Sequence, residues 1–395
     1  VKEHSMRRPR LALIAALMIV SCAVLHGGSF VFPGVEFPSA RLDAMGGMHA
    51  ALADDISTLF SNPAGFRQAG PQLSVSELTL NLSGPVFSIA DLMLRVSNGE
   101  SPTTLLSDPK VSSLLTSLHA SAGLNGPISF GYVGNGLGFG FFDSTNVTFE
   151  TEGTLPTITT TVNQNLIFIG GYAFAIPLPP SLLSSLDLGV SLKVSAQGSV
   201  VANEGISTLL SSPNISFLSN QPFNLFVGLG VDVGVLYTWN NTLSVGIVGR
   251  NLYAPVMENS YTGGLTSFGA SAPTVSYGYT PLDLSAGILF SPRLGLLEQY
   301  VTNLKLMLDY SDILDVVTHP ATATNPVLHV GIGAEVVVLQ ILALRAGFNE
   351  GYFSAGLGLN LTYFSLNLTM FGSELSTEPG LHPVYNLLVG FEFRY

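Results

Sequence analysis

After Phe66 the chain settles into an apolar period of two, and that alternation constrains the fold more than any motif it contains. The clearest instance closes the sequence. Tyr385, Leu387, Val389, Phe391, Phe393 and Tyr395 alternate with Asn386, Leu388, Gly390, Glu392 and Arg394. Successive side chains of a strand point to opposite faces, so one face here is aromatic or aliphatic and the other carries charge and glycine. Phe223 to Trp239 repeats the pattern over Phe223, Leu225, Val227, Leu229, Val231, Val233, Val235, Tyr237 and Trp239. At ~3.3 Å per residue such a strand is more than about 50 Å long, against the usual ~5–6 residues of a globular sheet.

Composition says what the apolar face meets. Apolar residues make up 47% of the chain and charged residues 10%, where soluble domains carry roughly 25% charge. Mean hydropathy is +0.45. Yet beyond the N-terminus no uninterrupted apolar run reaches the ~18 residues of a membrane helix. Membrane-spanning strands reconcile the two, because only every second side chain meets lipid. A large soluble β-sandwich or β-helix is the competing reading, and 14 Lys+Arg are few for so large a water-facing surface.

Fourteen segments carry the alternation: 72–83, 126–133, 136–150, 161–176, 186–199, 223–239, 242–252, 281–290, 302–314, 327–338, 340–349, 352–361, 363–371 and 384–395. Long and short connections alternate between them, and Asn135-Gly136 and Asn240-Asn241 have the chemistry of tight hairpins. The connection at Glu350-Gly351 is shorter than this parity predicts. The expected fold is all-β: a 14-stranded antiparallel transmembrane β-barrel over 71–395, with both chain ends on the periplasmic side. A phase break between Val75 and Leu78 predicts a bulge in the first strand.

What precedes the strands is different. Lys2, Arg7, Arg8 and Arg10, an apolar stretch from Leu11 to Leu25, and the small residues Gly27, Gly28 and Ser29 read as a signal peptide over 1–28, or else a retained anchor. Without it 10 basic and 25 acidic residues remain, an acidity that argues against nucleic acid as a partner. The one cysteine, Cys22, lies inside the apolar stretch, where Ile19-Val20-Ser21 make a poor lipobox. Next comes Arg41 to Phe66, with Gly46-Gly47, Asp54-Asp55 and the turn Asn62-Pro63-Ala64-Gly65. It is too polar and too broken to span a membrane. It reads as a plug, residues 29–70, inside the barrel.

Three local readings concern this plug. Asp54 or Asp55 can cap a helix over Ile56–Phe60, Pro63 pushes Asn62 out of helical geometry, and Gly65 permits a sharp reversal. Inward glycines such as Gly134, Gly136, Gly138 and Gly140 leave room for it or let the wall bend. Scattered charges of both signs face the lumen: Glu77, Lys193, Asp232, Arg250, Asp283, Lys305, Asp309, Glu335, Arg345, Glu392 and Arg394. Fourteen strands are fewer than the ~16–18 of open porins, which suggests a gated path.

In the first long loop, Val86, Ile89 and Met93, then Val111, Leu114, Leu115 and Leu118, recur at helical spacing, with a further short helix at Ile206 to Leu210. These helices either cap the mouth of the barrel or form an apolar groove that captures a hydrophobic ligand. No histidine pair has metal-ligand spacing, and no G-x-S-x-G elbow occurs. The expectation is therefore no enzyme, no metal and no cofactor. Asn81-Leu82-Ser83, Asn360-Leu361-Thr362 and Asn367-Leu368-Thr369 are explained as inward polar residues two apart, not as glycosylation sites.

The plug stretch resembles the N-terminal hatch of the long-chain fatty-acid transporter (FadL-type) family of bacterial outer-membrane barrels. The matching residues are Arg41, Gly46-Gly47, Ala53-Asp54-Asp55 and above all Asn62-Pro63-Ala64-Gly65. The terminal Glu392-Phe393-Arg394-Tyr395 resembles the signal read by barrel-assembly machinery. The resemblance implies a fourteen-stranded barrel with its hatch inside, and a monomer embedded in outer-membrane lipid. It also implies passive transport of fatty acids or similar hydrophobic molecules, which pass the hatch and leave sideways through the wall. In that family the capture helices come from later loops, whereas here the longest helical loop is the first. The same hatch pattern occurs in barrels that serve protein secretion, so a secretion-accessory or surface-interaction role is the alternative.

Overall fold

The computed structural model describes residues 28–35, 37–116, 118–151, 157–205, 218, 221–296, 300–318 and 320–395. Nearly all of the segment 1–28, expected to be a signal peptide, the helix expected at Ile206–Leu210 and His319 lie outside the described residues.

The alternating segments pair into one closed sheet. Following the two-residue β1 (Phe30–Val31), the wall runs β2 (Gln72–Ser83), β3 (His119–Asn125), β4 (Phe130–Gly134), β5 (Leu137–Thr151), β6 (Thr157–Ile176), β7 (Ser184–Gly205) and β8 (Phe223–Trp239). It continues through β9 (Leu243–Tyr253), β10 (Pro255–Tyr261), β11 (Thr274–Tyr279), β12 (Asp283–Phe290), β13 (Val301–Tyr310) and β14 (Val330–Val338). The last four strands are β15 (Leu342–Asn349), β16 (Tyr352–Asn360), β17 (Phe364–Glu374) and β18 (Pro383–Arg394). Three pairs, β3/β4, β9/β10 and β11/β12, are broken halves of single staves, so the wall is a closed 14-strand antiparallel barrel. Antiparallel pairing of β18 with β2 completes it.

Several staves differ from their sequence-based bounds. The second stave begins at His119, not 126, and is interrupted at 126–129. The seventh extends to Tyr261 and the eighth begins at Thr274, because pairing resumes beyond an interruption at Ala254. The ninth ends at Tyr310 and the tenth starts at Val330, with His329 closing a 3-10 turn instead of lying in the strand. The expected bulge in the first stave is present: Ser76 pairs with Phe393 and Ser74 with Arg394, skipping Val75. Asn135, Asn240 and Asn241 all take positive φ, as tight hairpin turns require.

Outward side chains form an apolar belt. Leu80, Phe168, Leu192, Ile247, Leu308, Ile332, Leu357 and Leu368 are all exposed, each on a different strand. Around the end that carries the tight turns, Tyr172, Tyr237, Trp239, Tyr300, Tyr363 and Tyr395 are exposed. Tyr253, Tyr277 and Tyr385 are exposed toward the other end, where the long loops lie. Continuous apolar surface with aromatic edges has no place in water and matches a bilayer. The wall spans a membrane. Among the described residues no helix is long and apolar enough to do so.

The barrel is lopsided: β6 and β7 have 20 and 22 residues, β14 and β15 only 9 and 8. The tall side carries α3 (Val86–Ser97), α4 (Pro102–Ser107) and α5 (Pro109–Thr116) from the first long loop. Before them in the chain, the plug holds α1 (Ala40–Asp43), α2 (Thr58–Ser61) and a 3-10 turn (Pro63–Arg67). The loop helices neither cap the mouth nor leave an open groove. Ile89, Leu92, Val96, Leu105, Val111 and Leu118 pack together with Ala120, Phe149 and Ile158. Ala120 pairs with Phe149, and Phe149 is out of phase with the lumen-facing Phe142 and Asn146. The row belongs to the outer face of the wall, and the helices lean against the barrel from outside.

Candidate functional site

The plug is held against the wall by a compact ion network. α1 begins at Ser39, whose hydroxyl accepts from the Leu42 amide, and this sets Arg41 facing β13–β15. The Arg41 guanidinium donates to Asp54 at 2.8 and 2.9 Å, to Asp55 at 2.5 Å and to Glu335 at 2.8 and 3.0 Å. Lys305 adds bonds to Asp54 and Glu335, and Arg345 donates to Glu335 at 2.7 Å and to Asn367 at 2.7 Å. Three cations meet three carboxylates, so the cluster is neutral. Burial by itself would lower the Arg41 pKa, but Asp54, Asp55 and Glu335 outweigh it and raise it well above the arginine value. Burial likewise pushes Asp54 upward, while Arg41 and Lys305 pull it far below the ordinary carboxylate range.

Two further anchors lie beside it. Asn62, buried and extended (φ −154°), caps the 3-10 turn by accepting from the Ala64 amide at 3.0 Å. Its amide donates to Ala50 O at 2.7 Å and to Val235 O of β8 at 3.3 Å, so one side chain ties two plug turns to the wall. His49 meets Asp309 of β13 at 2.6 Å, and the other Asp309 oxygen accepts from the Ala50 amide at 2.8 Å. Arg67 and Gln68 share Asp187 of β7 at 2.7 and 2.9 Å. The signal for these partners was inward charge in a charge-poor chain, since a buried charge needs a counterion. Which charge met which was not visible.

The inward glycines make the socket. A Cβ at Gly234 would lie 1.9 Å from the Asn62 oxygen, at Gly246 2.0 Å from Ala50 O, and at Gly333 2.1 Å from Met45 O. On the plug side Gly46 takes φ +88° and lies against the carbonyls of Ile332 and Phe348, while Gly47 also has positive φ. Gly65 does not reverse the chain. It sits in the 3-10 turn, where a Cβ would come within 2.6 Å of Thr58 and 2.7 Å of Ala53. The helix expected over Ile56–Phe60 is Thr58–Ser61 instead. Asp55 organises its start by accepting from the Ser57 amide at 2.9 Å, which leaves Asp54 for the ion pairs. Pro63 and Ala64 are buried, Ala64 packing on Ala51 and Leu236.

The opposite flank of the plug is apolar. Ile56, Leu59, Phe66 and Ala69 pack on Val133, Phe142, Ile167, Ile169 and Ala173 of β4–β6. Phe37, Phe60 and Phe142 form an aromatic trio with centroids 4.8 to 6.1 Å apart. Between the two flanks lies a cavity of about 220 Å³, lined by these aromatics, by Arg41, Asp54 and Asp55, and by wall residues including Glu77, Asn125, Ser129, Glu392 and Arg394. It borders the interruption of the second stave. There Thr79 still pairs with Asn125 and Ser74 with Gly131, but 75–78 have no ladder partner in 126–130. Asp143 reaches into the break instead, accepting from the Ile128 amide at 3.0 Å.

The expected capture residues scatter. Val111 and Leu118 are buried, Ile89 and Val86 are partly covered, and Met93 is on the exposed side of α3, where Leu92 takes the buried position. Leu114 and Leu115 fall on α5, with side chains outside the described set. Among the described residues no group of three or more His, Cys, Asp or Glu is placed to hold a metal ion.

No family model matches the chain, and no curated protein matches it. The chain is similar in fold to a solved toluene transporter, a monoaromatic hydrocarbon channel and a FadL homologue. With the toluene transporter TodX of Pseudomonas putida it shares 13% identity over 92% of this chain and 100% of that one, at a TM-score of 0.49. The CymD monoaromatic hydrocarbon channel matches at 13% identity over 90% and 98%, TM-score 0.44. A Pseudomonas aeruginosa FadL homologue matches at 12% over 93% and 99%, TM-score 0.44.

Proposed function

We propose that this protein is a passive channel for hydrophobic small molecules in a bacterial outer membrane, with residues 29–70 as its hatch and long-chain fatty acids among its cargo. The observation that carries the reading is a coincidence of place: the aromatic-lined cavity beside the plug abuts a stretch of wall, 75–78 against 126–130, that lacks ladder bonds. A greasy molecule in that cavity has Phe37, Phe60 and Phe142 on one side and a thin, unzipped wall on the other. Leaving sideways into lipid spares it the aqueous exit. The hatch positions Arg41, Gly46, Gly47, Asp54, Asp55, Asn62, Pro63, Ala64 and Gly65 hold the plug in register with this route. Displacement of the plug widens the route.

The test is uptake of radiolabelled oleate and toluene by cells lacking their own transporter. Ser129→Trp, which fills the cavity at the break, is expected to bring uptake to background, and Asn62→Ala to change its rate. Heat-modifiable migration verifies that both barrels are folded. Uptake unchanged in both folded variants overturns the channel reading. Loss of a surface protein partner, with uptake unaffected, would favour a secretion-accessory barrel.

A further inference from the structure

α3 presents three sectors, not two. At ~100° per residue, Ile89, Leu92 and Val96 form the sector packed on the outer wall. Ser88, Asp91 and Arg95 form a second, polar sector. Arg95 is fixed there by Glu100 at 2.8 Å and Asp108 at 3.1 Å. The third sector holds Val86, Phe87, Ala90, Met93 and Leu94, with Ser97 at its last turn donating its hydroxyl back to Leu94 O at 2.8 Å; Val86 is partly covered and the rest is exposed, Phe87 72% and Leu94 62%. Each sector takes roughly a third of the circumference. A helix in water keeps polar residues on every side that does not pack. This one packs on one side, and among the described residues nothing covers Phe87, Met93 and Leu94 on a second apolar side.

The height of the helix says what covers that side. The outward row Leu78, Leu80 and Leu82 of β2 belongs to the lipid belt, and α3 begins three residues after this strand ends. The Gly84 amide between them donates to Tyr385 O at 2.9 Å. Tyr385 is one of the exposed tyrosines that mark the loop-end edge of the belt. Phe87, three residues beyond Gly84, therefore starts at the aromatic girdle.

We propose that α3 is an interfacial helix, wedged in the corner between the outer wall and the membrane surface, with Phe87, Met93 and Leu94 seated in the lipid. Its three sectors then face wall, lipid and water. The belt continues onto the helix without a polar gap, and the apolar stripe extends the barrel's lipid contact on its tall side. The stripe faces away from the lumen, so it is not a cargo groove.

The experiment uses the full chain with its one tryptophan removed by Trp239→Phe. Phe87→Trp is placed in the third sector, Ser88→Trp in the polar one, and Leu94→Trp gives a second reading of the stripe. Each folded barrel is reconstituted in phosphatidylcholine vesicles with or without acyl-brominated phosphatidylcholine. The expected result is blue-shifted emission from Phe87→Trp and Leu94→Trp, quenched by bromine and shielded from aqueous iodide, with the reverse for Ser88→Trp. Red-shifted, iodide-accessible emission from both stripe positions overturns the proposal. So does blue-shifted emission indifferent to brominated lipid, which would mean that another protein surface covers the stripe.

Discussion

The plug meets β13–β15 through charge, with Leu42, Met45 and Leu52 also packed on Met307, and β4–β6 through apolar side chains, and these two flanks resist movement differently. Ion pairs are directional: shifting Arg41 by one bond length breaks contacts to three carboxylates at once. Apolar side chains exchange neighbours with little penalty until water enters. The charged flank faces ladders of β13, β14 and β15 that run continuously from Asn303 onward, whereas the apolar flank lies next to the break at 126–129. On the channel reading proposed above, the charged side fixes where the plug sits and the aromatic side is where it yields.

The largest effect is expected from Glu335→Ala. It leaves Arg41, Lys305 and Arg345 with two carboxylates, and a broken buried pair costs about 3–5 kcal/mol. The plug should come loose, read as raised conductance in planar bilayers and as new proteolytic cleavage within 41–66. Gly246→Val should do less. Its side chain invades the Ala50 carbonyl, an overpacking of about 1–3 kcal/mol, detected as partial cleavage of the same segment. On the apolar flank Phe60→Leu should cost under ~1.5 kcal/mol and leave cleavage near the wild-type level. Equal release by Glu335→Ala and Phe60→Leu would break the asymmetry.

The smallest expected effect is that of mild acid. Asp54 has its pKa depressed, so its stabilising contribution is complete above the ordinary carboxylate value and is lost only as pH falls through the depressed one. Cleavage of 41–66 should therefore be flat from neutral pH to about pH 4. Release at pH 5 to 6 would place the lock elsewhere.

Much of this architecture is local and could be read directly. Alternation is a property of neighbours, so Phe223–Trp239 and the closing run to Tyr395 declare themselves strands, and inward charge declares a filled lumen. Asn135 and Asn240-Asn241 declare their turns. Where the readings went astray, a distant partner had overruled a local signal. His119–Asn125 is too short and too rich in small residues to announce a strand until β2 and β5 flank it. Met93 and Leu92 are equally apolar, and only the wall decides which one is buried.

The chain on its own therefore established a closed apolar-belted barrel, the number of its staves and the segment that fills it, because each rests on period, composition or a contiguous stretch. Arg41 and Glu335 are 294 residues apart. Their meeting, the glycine socket, the break beside the cavity and the helices leaning outside the mouth are matters of register between strands. Register is fixed only once the whole ring has closed, and so the tertiary structure alone decided them.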